Sequence, residues 1–188
     1  LKKAVFLFYI TLMSFSYAQQ LPVLNLRTEA GSYSHIGLRG LSKNDICVIL
    51  GSNSPARPVT DYTIYIFKDG GKIAAYHQKS ALSYENIELS EENRQTLFKI
   101  IQSGKFKKFL KYDQEDFEYK DEKTGEGKFP IIDTNYNLTV IQNGKQNTYS
   151  YLSKDYLKSD HPRINKTVLK KYAFILDMFR NVKIDKEH

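Results

Sequence analysis

Apolar positions along the chain fall into two successive units, each a period-two hairpin followed by a three-to-four-residue helical stripe. In the first, Tyr62 to Phe67 is β-branched and aromatic, and Asp69-Gly70 suits a two-residue turn with both central residues at positive φ. That register sets Ile66 against Ile73, Ile64 against Ala75 and Tyr62 against His77, which gathers one apolar face. A turn at Gly70-Gly71 would instead set Lys68 against Ile73 and spoil that face. Ala81 to Leu89 follows as a candidate third strand, with Tyr84, Ile87 and Leu89 as its buried positions. Ser90-Glu91-Glu92 then opens a helix: the serine can cap free N–H groups, and the glutamates complement the positive end of the macrodipole. Leu97, Ile100 and Ile101 form its stripe, Gly104 is expected to close it as a left-handed C-terminal glycine, and Phe106 and Phe109 to fold beneath it. Lys99, Lys105, Lys107, Lys108 and Lys111 stay on the wet side, a cluster able to meet an anionic surface but more usually just a solvated face.

The second unit carries stronger signals. Asn143-Gly144 is the strongest short hairpin signal, pairing Leu138 with Tyr149, Tyr136 with Tyr151 and Val140 with Asn147. Tyr136, Leu138, Val140, Tyr149 and Tyr151 then share a core-facing side. A final helix begins near Asn165, with Val168, Leu169, Tyr172, Ile175, Leu176 and Phe179 as its stripe and Lys166, Lys170, Lys171 and Arg180 outside it.

Ahead of these units, Ile46-Cys47-Val48-Ile49-Leu50 reads as a buried strand, and Gly51 to Pro58 as a loop of Gly, Ser, Asn and Pro. The whole is an α+β pattern: an antiparallel β-sheet built from hairpins with two α-helices packed on one face. The expected organisation is a signal peptide over 1–18, an irregular lead-in over 19–44, one α+β domain over 45–182 and a polar tail over 183–188.

The leader changes the setting. Lys2 and Lys3 precede the apolar run Ala4 to Met13, and Ser16-Tyr17-Ala18 offers small residues for cleavage after Ala18. The run is well short of the ~20 residues a membrane span needs. The expectation is therefore export to the periplasm or beyond, with no stable membrane insertion after cleavage. Of 188 residues, 170 then remain; setting the 28 Lys and Arg, less the leader's two, against 21 Asp and Glu lowers the formal charge from +7 to +5. That balance is weak evidence for nucleic acid, and much of the aromatic content falls on faces expected to bury, so no nucleic-acid partner is predicted. Cys47 is the one cysteine, so no intrachain disulfide is available, and its strand setting favours a buried thiol.

Candidate chemistry is sparse. Gly31-Ser32-Tyr33-Ser34-His35 places hydroxyls beside an imidazole but lacks the strand-turn-helix setting of a nucleophile elbow. Gly51 to Pro58 lacks the Lys-Ser/Thr pair and following helix of a phosphate loop. Asp113, Glu115, Asp116, Glu118, Asp121 and Glu122 crowd a polar stretch from Tyr112 to Lys128 without the spacing of an EF-hand, and that stretch reads as a mobile loop rather than a metal site. No cofactor, metal or catalytic set is predicted. The candidate binding surface joins the 112–130 loop, through Asp113, Glu115, Asp116 and Glu118, to Asn53 and Arg57 of the Gly51–Pro58 loop.

The loop with Gly and Pro, the hairpin Tyr62-Thr-Ile-Tyr-Ile-Phe-Lys-Asp-Gly-Gly-Lys-Ile, the helix start Leu89-Ser-Glu-Glu-Asn, its exit Gly104-Lys-Phe and the hairpin Tyr136-Asn-Leu-Thr-Val-Ile-Gln-Asn-Gly-Lys share an order. Over roughly residues 45 to 180 this order resembles a family of small exported bacterial proteins of unknown function. The resemblance implies a fold and no activity. Members of that family often carry a Gly-x-Cys-Pro loop before the first hairpin; Ser52 to Pro58 has no Cys, so no redox or disulfide role is carried over.

The reading that follows is a non-enzymatic exported binding module whose partner is a protein or a cell-envelope ligand. Its alternatives are a hydrolase or other enzyme assembled in the fold from His35, His77 and Asp133, and an inhibitor of an exported enzyme.

Overall fold

In a computed structural model of the chain, the description covers residues 20–30, 40–54, 57–80, 83–117, 135–151 and 164–182. The predicted leader and polar tail lie outside it. The strands are β1 (Thr28–Glu29), β2 (Ile46–Ser54), β3 (Arg57–Lys68), β4 (Lys72–Ser80), β5 (Ser83–Asn86), β6 (Asn135–Gln142) and β7 (Lys145–Tyr151). The helices are α1 (Glu91–Gln102), α2 (Gly104–Phe109) and α3 (Lys166–Arg180), with a 3-10 turn at Gln114–Phe117. All seven strands form one antiparallel sheet in the order β1-β7-β6-β2-β3-β4-β5, so the fold is α+β.

The β6–β7 hairpin has the register its turn predicts, Tyr136 opposite Tyr151, Leu138 opposite Tyr149 and Val140 opposite Asn147. Asn143 and Gly144 both sit at positive φ, 55° and 70°, as a tight hairpin turn with right-handed twist requires.

The β3–β4 hairpin differs from its predicted register by one residue. Lys68 pairs with Lys72, leaving Asp69-Gly70-Gly71 as a three-residue turn with both glycines at positive φ. Phe67 therefore meets Ile73, Tyr65 meets Ala75 and Thr63 meets His77, while Ile66 and Ile64 point the other way opposite Ala74 and Tyr76. A one-residue slip exchanges every side chain between faces. Here both faces of β3 are apolar and both are buried, so alternation could not choose between registers.

The two faces carry separate clusters. Ile46, Val48, Leu50, Tyr65, Phe67, Leu138, Val140 and Tyr149 share one with the buried side chains of α1, α2 and α3. Cys47, Ile49, Ile64, Ile66 and Ile141 form the other, against which Ala30, Leu41, Tyr62, Ala74 and Tyr76 pack. Cys47 is fully buried, as its strand setting predicts, and desolvation pushes its thiol pKa well up. Gly51 lies opposite Tyr62, whose ring covers it so closely that an added Cβ would come within 2.9 Å of Cε1. Gly51 to Pro58 is mostly strand: β2 runs on to Ser54, which pairs with Arg57 of β3.

The α1 cap is as predicted, with Ser90 Oγ accepting from the Asn93 N–H, and Leu97, Ile100 and Ile101 are buried. The stop is different. Ser103, at φ −64° and ψ 142°, breaks the helix in extended conformation, and its hydroxyl accepts from the Phe106 N–H to start α2. Gly104 is the first residue of α2 and has no positive φ. A single serine ends one helix and caps the next, which turns the chain and drives Phe106 and Phe109 into the core. Of the predicted third strand, β5 takes Ser83–Asn86; beyond it Ile87 is partly buried and Leu89 buried, but Tyr84 within it is about half exposed and meets the Tyr76 ring edge-on at 5.9 Å.

The six stripe residues predicted for α3 are all buried, and Asn165 caps it by accepting from the Val168 N–H. The lead-in joins the same core through Leu24 and Leu26. Two buried amides at the far end of the sheet hold it: Gln142 Oε1 accepts from the Leu24 N–H at 2.7 Å, and Asn147 Oδ1 from the Arg27 N–H at 2.9 Å.

Candidate functional site

Of the acidic residues predicted to form a mobile surface, Asp113, Glu115 and Asp116 lie in a folded turn, while Glu118, Asp121 and Glu122 lie outside the described residues. Asp113 Oδ1 accepts from the N–H groups of Glu115 and Asp116, while Asp116 Oδ2 accepts from the Asp113 N–H at 2.8 Å. Asp113 Oδ2 also pairs with Arg27 Nη1 at 2.6 Å, and Phe117 at the end of the turn is fully buried. Gln114 exchanges hydrogen bonds with the Ser150 backbone, which lines this turn along β7. The acidic turn lies along β7, and β6 stands between β7 and the β2–β3 arm that carries Asn53 and Arg57. The side chains of Asn53 and Arg57, and all of Glu118, lie outside the described residues. Of the catalytic alternative only His77 is described: it sits partly exposed on β4 between Thr63 and Glu85, and His35 and Asp133 lie outside the description. Among the described residues no group of three or more His, Cys, Asp or Glu could hold a metal ion, and no helix is long and apolar enough to cross a membrane.

The concave feature with chemistry of its own lies between α2 and α3. Its construction begins in the core. Phe109 packs against Tyr149 at 4.6 Å between ring centroids and against Tyr172 at 6.0 Å, while the Phe117 ring meets Tyr172 edge-on at 5.2 Å. The phenols are anchored: Tyr149 Oη donates to the Tyr112 carbonyl and accepts from Asn147 Nδ2, and Tyr172 Oη donates to the Tyr136 carbonyl. Burial pushes both phenol pKa values up, against the opposing pull of the Asn147 hydrogen bond at Tyr149 and of Arg180 at Tyr172. This aromatic block fixes α2 and the following Lys111-Tyr112 against α3.

The outer side of that contact is a cleft of about 620 Å³, floored by Phe109 and Ile175, walled by Tyr112 and Phe174, and rimmed by Lys105, Lys108, Lys111, Lys170 and Lys171. Its size falls within the ~300–1,000 Å³ of small-molecule sites. Phe174 is 44% exposed, one of three large apolar side chains in the description that stand so far into solvent. Two cations already lie on rings, Lys105 Nζ 4.6 Å above Phe174 and Lys171 Nζ 4.5 Å above Tyr112, with Lys171 also donating to the Tyr112 hydroxyl. No carboxylate is among the described lining residues. Five like charges thus rim one hollow, and among the described lining residues ring faces alone offset their mutual repulsion.

The sequence shows half of this. The three-residue recurrence of Lys105, Lys108 and Lys111, out of phase with Phe106 and Phe109, marks a cationic face. Lys170, Lys171 and Phe174 read only as the wet side of α3; the packing of helices some sixty residues apart is what joins the two sets. A smaller hollow of about 180 Å³ at the other end of α3 is lined by Gly51, Ser52, Asp61, Thr63 and Arg180 among others. There the Arg180 guanidinium already stacks 3.7 Å from the Tyr136 ring centroid.

No protein-family model matches the chain, and no curated protein matches it in sequence.

Proposed function

We propose that the protein is an exported, non-enzymatic binding module, acting in the periplasm or outside the cell, and that it binds a small anionic ligand with an apolar body in the α2–α3 cleft. The observation that carries this reading is the set of five lysines around an apolar floor with no carboxylate among the described lining residues. Such a rim raises the local concentration of anions and favours an anionic ligand over a neutral one of the same shape. The walls supply what a bare basic patch lacks, apolar surface to remove from water: Phe174 is 44% exposed and Tyr112 partly so, over the buried Phe109 and Ile175.

Fluorescence titration with anilinonaphthalene sulfonate, a small aromatic anion, tests the reading. Saturable binding is expected that weakens as salt rises, since exposed charges are screened within ~8 Å at physiological ionic strength. The double substitution Lys105→Glu with Lys171→Glu should abolish it while the fold persists. Equal binding by the wild type and the double variant would remove the cleft as the ligand site.

A further inference from the structure

We propose that the ligand body is a single hydrocarbon chain of medium length ending in an anionic head, taken up one molecule at a time. This rests on the reading of the cleft as a site for small anions and adds the class of molecule.

The lining decides the body. Apart from the lysines, the described lining residues are Phe109, Tyr112, Phe174 and Ile175. The one hydroxyl among them, on Tyr112, already accepts from Lys171. No Asn, Gln, Ser, Thr, Asp or Glu is present among them to read a sugar hydroxyl or a base edge. A ligand rich in polar groups would meet ammonium donors but no free side-chain acceptor among the described lining residues, so its own donors would go unpaired in the hollow, which costs affinity. Hydrocarbon needs no partner there.

The rim decides the head. All five cationic groups are lysines, compact point charges on flexible stems rather than planar forks, so a carboxylate, sulfate or phosphate monoester head is served equally well. Their placement on both α2 and α3 lets the head rest at the edge while the chain lies along the floor.

The length of the hollow sets the chain. Lys105 lies over Phe174 at one end and Lys171 over Tyr112 at the other. The helical path from position 105 to 112 is on the order of 10 Å. An extended hydrocarbon chain advances about 1.3 Å per bond, so about eight to ten carbons fill the cleft. A folded protein partner fits less well, because stable interfaces engage ~20–30 residues a side, while the cleft presents nine described residues. An anionic membrane surface fits less well too, because the apolar surface is concave and Phe174 is capped by Lys105 rather than left bare for insertion.

The test is displacement of bound anilinonaphthalene sulfonate by straight-chain carboxylates from hexanoate to tetradecanoate, each below its micelle concentration. Affinity should rise about two- to fourfold per added methylene, then level off near ten carbons. An alkyl trimethylammonium of ten carbons should not compete. Phe174→Ala, at a half-exposed position, should weaken decanoate more than hexanoate, and Lys108→Glu with Lys170→Glu should weaken every length by the same factor. Alkyl sulfates and monoalkyl phosphates matching the carboxylates would define the head as any anion, as proposed. Charge-dependent binding with no dependence on chain length would overturn the proposal, as would equal competition by the ammonium. Sedimentation with phosphatidylglycerol vesicles without uptake of monomeric carboxylates would overturn it in favour of a membrane surface. In those outcomes the sulfonate still binds at the cleft, so the broader reading survives; loss of sulfonate binding altogether would defeat both.

Discussion

The two sides of the α2–α3 contact are built from neighbouring residues and behave oppositely. Inward, Phe109, Phe117, Tyr149 and Tyr172 interlock, and the hydroxyls of Tyr149 and Tyr172 donate to backbone carbonyls. Outward, Phe109 and Ile175 floor a hollow whose five lysines face no carboxylate among the described lining residues. The inner side pairs its polar groups, whereas every charged group among the described lining residues of the outer side is a cation. Stability should therefore be sensitive to the inner residues, and ligand binding to the outer ones.

Breaking the inner side should have the largest effect on stability. Phe117→Ala removes a fully buried ring in contact with Tyr149 and Tyr172, and should lower the free energy of unfolding by about 3–5 kcal/mol. Denaturant titration measures this, and a loss below about 1 kcal/mol would show the block to be loosely packed. Asn147→Ala comes next. Asn147 joins the Arg27 N–H, the Leu110 carbonyl and the Tyr149 hydroxyl. Its removal leaves buried groups unpaired and should cost about 1–3 kcal/mol by the same measurement.

Alkaline pH probes the inner side without mutation. Burial raises the Tyr65 phenol from 10.0 to about 12, and raises Tyr149 and Tyr172 in the same direction. A pKa higher in the folded than in the unfolded chain favours the folded state fully below the unfolded value and progressively less above it. Stability should thus hold through neutral pH, begin to fall near pH 10 and be lost further as pH passes 12. A phenol absorbance titration that finds these tyrosines ionising at the ordinary value would contradict their burial.

The outer side should respond least in stability. Lys105→Glu with Lys171→Glu removes two cation–ring contacts, each worth about 0.5–1 kcal/mol at exposed positions. Losing like-charge repulsion offsets part of that, so unfolding should change by about 1 kcal/mol or less while anion binding disappears. A large destabilisation would mean that the lysines are scaffold.

How much of this the chain discloses on its own depends on where polarity is asymmetric. The β6–β7 register was legible because Asn143-Gly144 fixes the turn and one face carries the bulky residues Leu138, Val140 and Tyr149. α3 was legible because its six buried residues form one stripe. The β3–β4 register was not, because Ile64 and Ile66 are as apolar as Tyr65 and Phe67 and consecutive glycines tolerate a longer turn. Asp113 and Asp116 read as solvated acid because reciprocal side-chain capping leaves no simple periodic trace. The cleft was half legible: its α2 lysines stood out as a cationic face, but the apolar floor exists only once Phe109 and Ile175 meet.

The contrast between a completed core and an open cleft is tested most directly by amide chemical-shift mapping of the labelled protein titrated with decanoate. The largest shifts should fall on residues 105–112 and 170–175, with β2, β3 and the Asp113–Phe117 turn little affected. Shifts centred on the β2–β3 arm or on the acidic turn, or none at all, would contradict it.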